Sequence, residues 1–115
     1  MNSRELLKKV YDALDDKKAN DIRIINIGDI SSIGDYLVIA DGSSHSQLQA
    51  LCDNVEEKMH ESGAKLKSRE GNSNGGWILL DYYDIIVHIF SESDREFYDL
   101  EHIWRDGTPI MIGDL

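Results

Sequence analysis

Proline, cysteine and positive charge are all scarce in this chain, and each scarcity removes a class of protein. Among 115 residues there is one proline, Pro109, and no repeat, low-complexity tract or linker. The lone cysteine, Cys52, has no partner for an intramolecular disulfide and cannot build a thiolate metal cluster, so a reducing, cytoplasmic setting is expected. Twelve lysines and arginines face 22 aspartates and glutamates, a formal net charge of −10. Such a surface repels phosphate backbones, which argues against direct DNA or RNA binding and favours a basic protein as partner. Acidity also serves plain solubility, and composition leaves both readings open. No apolar run approaches the ~20 residues of a membrane span, and Met1 to Glu5 leads into an amphipathic pattern without an apolar signal core. No membrane attachment is expected.

What the chain does have is centred on Trp77 to Phe90. Two apolar runs rich in isoleucine, valine and aromatics flank a polar break from Asp81 to Asp84, the pattern of a β-hairpin. Both runs are near-continuous, so each strand is expected to be covered on both faces. One face can take the chain's own helices; the other, or the edge beside Trp77, is a candidate for a partner.

The remaining elements follow from spacing. Asn2 and Glu5 stand in capping-box register ahead of Leu6, Leu7, Val10, Tyr11 and Leu14, which predicts a first helix of about four turns. Strands are expected over Ile22–Ile27 and Tyr36–Ala40, the second fully buried, with a turn at Ser31-Ser32-Ile33-Gly34. Ser44 and Gln47 cap a long helix with a core stripe of Leu48, Leu51, Cys52, Val55 and Met59, closed by Gly63. Ala64 to Glu70 alternates as a half-exposed strand with Lys65, Lys67 and Arg69 outward, and residues 71–76 form a flexible loop. Ser91 and Asp94 open a short helix in which Phe97, Leu100, Ile103 and Trp104 recur at helical spacing; after Asp106 no pattern stands out. The fold class is α/β in the looser usage, or α+β: one domain over residues 1–115, with a mixed, mostly five-stranded sheet packed with helices. The long helix can act as a crossover, which permits a parallel strand pair.

Catalytic motifs are missing: no GxGxxG, P-loop, HExxH or nucleophile elbow occurs. His45, His60, His88 and His102 show no ligand spacing, and His88, inside an apolar strand, reads as a hydrogen-bonded structural residue. Cys52 reads as a packed thiol. Gly42-Ser43-Ser44 lies between a strand and a helix, where backbone amides can cradle phosphate. Nucleotidyltransferases use such a turn with two carboxylates one residue apart on a later strand to hold magnesium. No such pair follows here, so no catalytic residue, metal or cofactor is expected. A residual nucleotide-binding role for the Gly-Ser turn is the alternative. At the hairpin tip, Asp81 and Asp84 are the residues that bond their own turn. Tyr82, Tyr83 and Trp77 are of the types that dominate binding hot spots, although Trp77 can equally plug the core beneath a helix.

Four blocks give the chain a family likeness: Ser31 to Ala40, with Gly42 and Ser44 after it; Glu70-Gly71; Trp77 to Tyr82, with Asp84 and Val87 to Phe90; and Arg95 to Glu101, ending at Trp104. In this order and spacing, over about residues 19–104, the chain resembles the Iojap family, the ribosomal silencing factors called RsfS. Two positions depart from the pattern. Asp41 stands where a small hydroxyl residue is usual, and Tyr83 replaces a glycine of the hairpin turn.

The resemblance implies a nucleotidyltransferase-like fold without transferase chemistry. It also implies a function: binding ribosomal protein L-fourteen on the large ribosomal subunit, sterically blocking subunit joining and repressing translation under nutrient limitation. The docking residues it implies are Trp77, Leu79, Asp81 and Tyr82, with Asp84, Glu70, Asp99 and Glu101 as acidic partners. Trp77 and Tyr82 would be anchors worth ~2 kcal/mol each. Arg95, Tyr98 and Trp104 are expected to pack the last helices against the sheet. An exposed hairpin edge also admits a homodimer.

Overall fold

Asn2 opens the first helix in the way its spacing to Glu5 predicts. In the computed structural model, which describes residues 2–32 and 34–115, Asn2 Oδ1 accepts the Glu5 N–H at 2.9 Å and α1 runs Ser3–Asp16. Met1 and Ile33, the latter in the expected Ser31–Gly34 turn, lie outside the described residues. Strand β1 (Asn20–Asn26) and β2 (Tyr36–Gly42) follow, then α2 (His45–Glu61). Ser44 Oγ accepts the Gln47 N–H at 3.1 Å. The reciprocal half of that capping box is displaced by one residue, because Gln47 Oε1 accepts from the amide and hydroxyl of Ser43 instead. Gly63 sits just past the α2 C-cap at φ +79, the left-handed turn that stops the helix.

Beyond α2 come β3 (Ser68–Asn72), β4 (Trp77–Asp81) and β5 (Ile85–Ser91), then the short helices α3 (Glu92–Tyr98) and α4 (Leu100–Ile103), and β6 (Thr108–Ile110). The sheet has six strands in the order β3-β4-β5-β2-β1-β6. Among the described residues, only β2 and β5 pair in parallel. The crossover therefore contains more than the long helix: α2, β3 and β4 all intervene before the chain returns to lie beside β2. The sixth strand was invisible to periodicity. Three residues cannot show an alternation, and Pro109 is tolerated there because β6 is an edge.

Helices α1 and α2 cover one face of the sheet. Leu7, Val10 and Leu14 of α1 and Leu48, Leu51, Cys52, Val55 and Met59 of α2 are fully buried against Val38, Ala40, Ile78, Leu80, Val87 and Ile89. Each leucine, isoleucine, valine or methionine among them stabilises the fold by roughly 1.5–3 kcal/mol through burial. Buried Asn54 joins the two helices, donating from Nδ2 to the Ala13 carbonyl at 2.8 Å near the end of α1. On the opposite face a smaller cluster forms from Ile25, Ile27, Leu37, Ile39, Ile86 and Phe90, with Trp77, Leu79, Leu100 and Trp104 only partly buried around it.

Three expectations need correction. β5 is covered on both faces, but β4 alternates: Ile78 and Leu80 are buried, while Trp77, Leu79 and Asp81 are half-buried. The basic strand begins at Ser68 rather than Ala64 and extends through Gly71 and Asn72, so the connecting loop is shorter. The alternation nonetheless holds, with Ala64, Leu66 and Ser68 half-buried and Lys65, Lys67 and Arg69 exposed. Finally, the stripe of Phe97, Leu100, Ile103 and Trp104 is not one helical face. Asp99 adopts φ 47, ψ 56 and breaks the segment into α3 and α4, leaving Phe97 80% and Ile103 62% exposed.

Two left-handed residues give a test of the β3–β4–β5 unit. Gly71 has φ +80, and a Cβ there would run into the Trp77 carbonyl oxygen. Tyr83, where the resemblance led us to expect a glycine, adopts the left-handed conformation at φ 72 despite its side chain. Gly71→Ala is expected to lower stability by about 2 kcal/mol or more, because backbone strain and overpacking coincide. Tyr83→Gly should leave the urea midpoint unchanged or higher, since relief of strain offsets the added freedom of the unfolded chain.

A candidate docking surface on the open face of the sheet

Successive strand residues point to opposite faces, and that rule sorts the hairpin. Ile78 and Leu80 of β4 face the helices, so Trp77, Leu79 and Asp81 face the other way. Tyr82 shares the parity of Ile78 and Leu80. It is 8% exposed and belongs to the helix-side cluster with α2. Burial pushes its hydroxyl pKa up, reinforced by the Glu56 carboxylate. Tyr82 is thus a core residue beneath α2 and not an anchor on the same surface as Trp77.

Register extends the open-face row across the sheet. Leu79 lies opposite Glu70 on β3 and opposite His88 on β5. Trp77 lies opposite Phe90. Its indole stacks on His88 and Phe90 at 5.7 and 5.2 Å between centroids and meets Tyr98 of α3 at 4.8 Å. Its Nε1–H donates to His88 Nδ1 at 3.0 Å, so the one polar atom of the indole is satisfied inside the protein. The half-exposed remainder is apolar ring, flanked by Leu79 and by exposed Glu70 on the edge strand. Trp77, Leu79, Glu70 and Gly71 line a shallow recess together.

The acidic residues expected around this patch are scattered. Asp81 follows Leu79 on the same face, but its Oδ1 accepts the Tyr83 N–H at 2.8 Å and so stabilises the turn. Asp84 is exposed at the tip, at the far end of β4 from Trp77, with Ser3 Oγ 3.4 Å from its Oδ2. Asp99 is exposed at the elbow between α3 and α4. Glu101 is engaged within the molecule: Arg95 Nε donates to its Oε1 at 2.8 Å, and Nη2 lies 2.6 Å from the same oxygen. That second contact is an ion pair without hydrogen-bond alignment.

Arg95 is the hub that the helical spacing did not disclose. It is 8% exposed, and its Nη1 donates to Asp41 Oδ2 at 3.0 Å and to the Asp21 carbonyl at 2.7 Å. Asp41 is 7% exposed and supplies the buried counter-charge. The expectation that Arg95 packs the last helices against the sheet describes this well. Tyr98 was placed with it as packing; it does stack on Trp77, yet it stays 41% exposed and becomes part of the surface.

The Gly-Ser turn is mostly occupied by its own cap. The Ser43 amide donates to Gln47 Oε1 at 2.7 Å and the Ser43 hydroxyl does so at 3.0 Å, which leaves those donors engaged. Glu92 stands in the same hollow and would repel a phosphate. Cys52, Asp53 and Glu56 bring ligand-type atoms within 4.8 Å of one another. Burial, then the Glu56 charge, raises the Cys52 thiol to about 12, and Glu56 is paired with Arg69 at 3.1 Å. That keeps the sulfur a protonated core atom.

Comparison with known proteins adds an independent finding. The family model described as "Ribosomal silencing factor during starvation" matches residues 1–115. A ribosomal silencing factor RsfS of Halalkalibacterium halodurans is 36% identical over 112 residues, 97% of this chain and 96% of that protein. The one from Bacillus subtilis is 37% identical over 106 residues, 92% of this chain and 90% of its own. Among solved structures, a protein from Chromobacterium violaceum is 33% identical and superposes with a TM-score of 0.87, covering 90% of this chain and 87% of its own.

The histidine beneath the indole has a titration signature. Burial lowers His88 from 6.5 to about 4. Between those values the unfolded chain binds a proton that the folded ring refuses, so stability is lost as pH falls from 6.5 to 4 and levels off below. The full window amounts to about 3 kcal/mol. His88→Gln is expected to flatten this part of the stability profile in urea titrations at stepped pH, and the His88 ring resonances should hold their neutral positions down to about pH 5.

Proposed function

The chain belongs to the ribosomal silencing factor family, and from that premise we propose that it silences by docking. It binds the large ribosomal subunit through ribosomal protein L-fourteen, occupies the face on which the small subunit lands, and so sterically blocks subunit joining and represses translation when nutrients are limiting. The action is stoichiometric and cytoplasmic, with no turnover, metal or cofactor. What carries the reading is the Trp77–Leu79–Glu70 patch, where apolar ring surface lies on a rigid strand in a chain of formal net charge −10.

The physical roles divide along that patch. Trp77 is held by stacking and by its bond to His88, so little rotational freedom is lost when it meets a partner. Leu79 widens the apolar contact beside it. Glu70, and Asp84 and Asp99 farther out, accelerate encounter with a basic ribosomal protein more than they tighten the final complex. Glu101 and Tyr82, committed inside the fold, support the surface without touching the partner.

Co-sedimentation tests this directly. The chain is expected to pellet with isolated large subunits and much less with assembled ribosomes; equal recovery in both would refute the steric account. Trp77→Ala should weaken binding by about 30-fold, the equivalent of ~2 kcal/mol. Glu70→Lys, on the exposed edge, should slow association without unfolding the chain. Tyr82→Phe, on the other side of the sheet, should leave affinity unchanged.

A further inference from the structure

We infer that the docking surface continues from the hairpin onto α3, where Phe97 is a second anchor for an apolar side chain flanked by lysine or arginine on the partner. The inference rests on the docking function proposed above and extends it to residues outside the hairpin. Phe97 is 80% exposed, more than any other large apolar side chain described. A single exposed phenylalanine would need no explanation. This one is the outer end of a continuous aromatic run: Phe97 meets Tyr98 edge-on at 5.2 Å and 89°, Tyr98 meets Trp77 at 4.8 Å, and Trp77 stacks on Phe90 in the core.

Rigidity and charge together define the occupant. Arg95, two residues before Phe97, ties α3 to the carbonyls of Asn20 and Asp21 and to buried Asp41, so the ring is presented from a fixed helix. The segment from Ser91 to Glu101 holds Glu92, Asp94, Glu96, Asp99 and Glu101 against one cation, Arg95, whose charge is neutralised internally. An apolar end with an acidic border matches an apolar residue between cations. Nucleic acid and anionic membranes are repelled by the same border, and a second copy of this acidic chain meets like charge.

Full-length chain titrated against purified large subunits decides the matter. Phe97→Ala is expected to weaken binding about tenfold while leaving the thermal unfolding midpoint unchanged, because the side chain is exposed. Met111→Ala removes an apolar side chain that is 69% exposed beyond β6, at the other edge of the sheet, and should leave affinity as it was. Wild-type affinity in Phe97→Ala, alongside a clear loss in Trp77→Ala, overturns the inference while leaving the docking function standing. No binding by the unsubstituted chain overturns the docking function and the inference with it. Should Phe97→Ala change only the concentration dependence of sedimentation of the chain alone, the strip pairs copies of this protein and the inference is likewise overturned.

Discussion

The parallel ladder between β2 and β5 is the constraint from which the other features follow. It joins residues 36–42 to residues 85–91 and makes both strands central. Every residue of β2 after Tyr36, and every residue of β5 before Ser91, is buried. Because the partner of β2 lies so far along the chain, α2 must cross over one face before β3 and β4 can be laid down. That crossover is what leaves the two faces unequal. One carries two long helices; the other receives only two short ones and stays open near the β3–β4 edge.

How much of this could be read from the residues depended on the length scale of the signal. Capping pairs at Asn2–Glu5 and Ser44–Gln47 and the apolar stripe of α2 are local and were legible, as were the buried character of β2 and the hairpin. Which strand would pair in parallel with β2 was not, because that choice is made by non-local packing. A three-residue edge strand around Pro109 is too short to carry a pattern. The α3–α4 break was hidden because Asp99, a residue able to adopt the left-handed region, looks ordinary within a helical spacing.

The placement of the candidate residues was legible for some and not for others. Trp77, Leu79 and Glu70 are brought together as their register requires. Tyr82 was grouped with Trp77 by proximity in sequence, although counting strand parity from Trp77 already separates the two. Glu101 looked like a free surface acid because nothing local points to Arg95 as its partner. Phe97 was read only as part of a helical spacing, and Tyr98 was assigned with Arg95 and Trp104 to packing the last helices. Their exposure depends on where α3 stops.

The Asp41–Arg95 pair has a consequence for how interchangeable the parts of such proteins are. A guanidinium this deeply enclosed needs its counter-ion, and stripping one member from a buried pair typically costs 3–5 kcal/mol. Here the buried counter-ion is contributed by the end of β2, and the more exposed Glu101 of α4 lies against the same guanidinium. A chimera that took its last helices from this chain and its sheet from a relative lacking a carboxylate at the end of β2 would therefore inherit the cation with Glu101 but without its buried anion. Strand and helix are best regarded as one inherited unit, to be transplanted together or left alone.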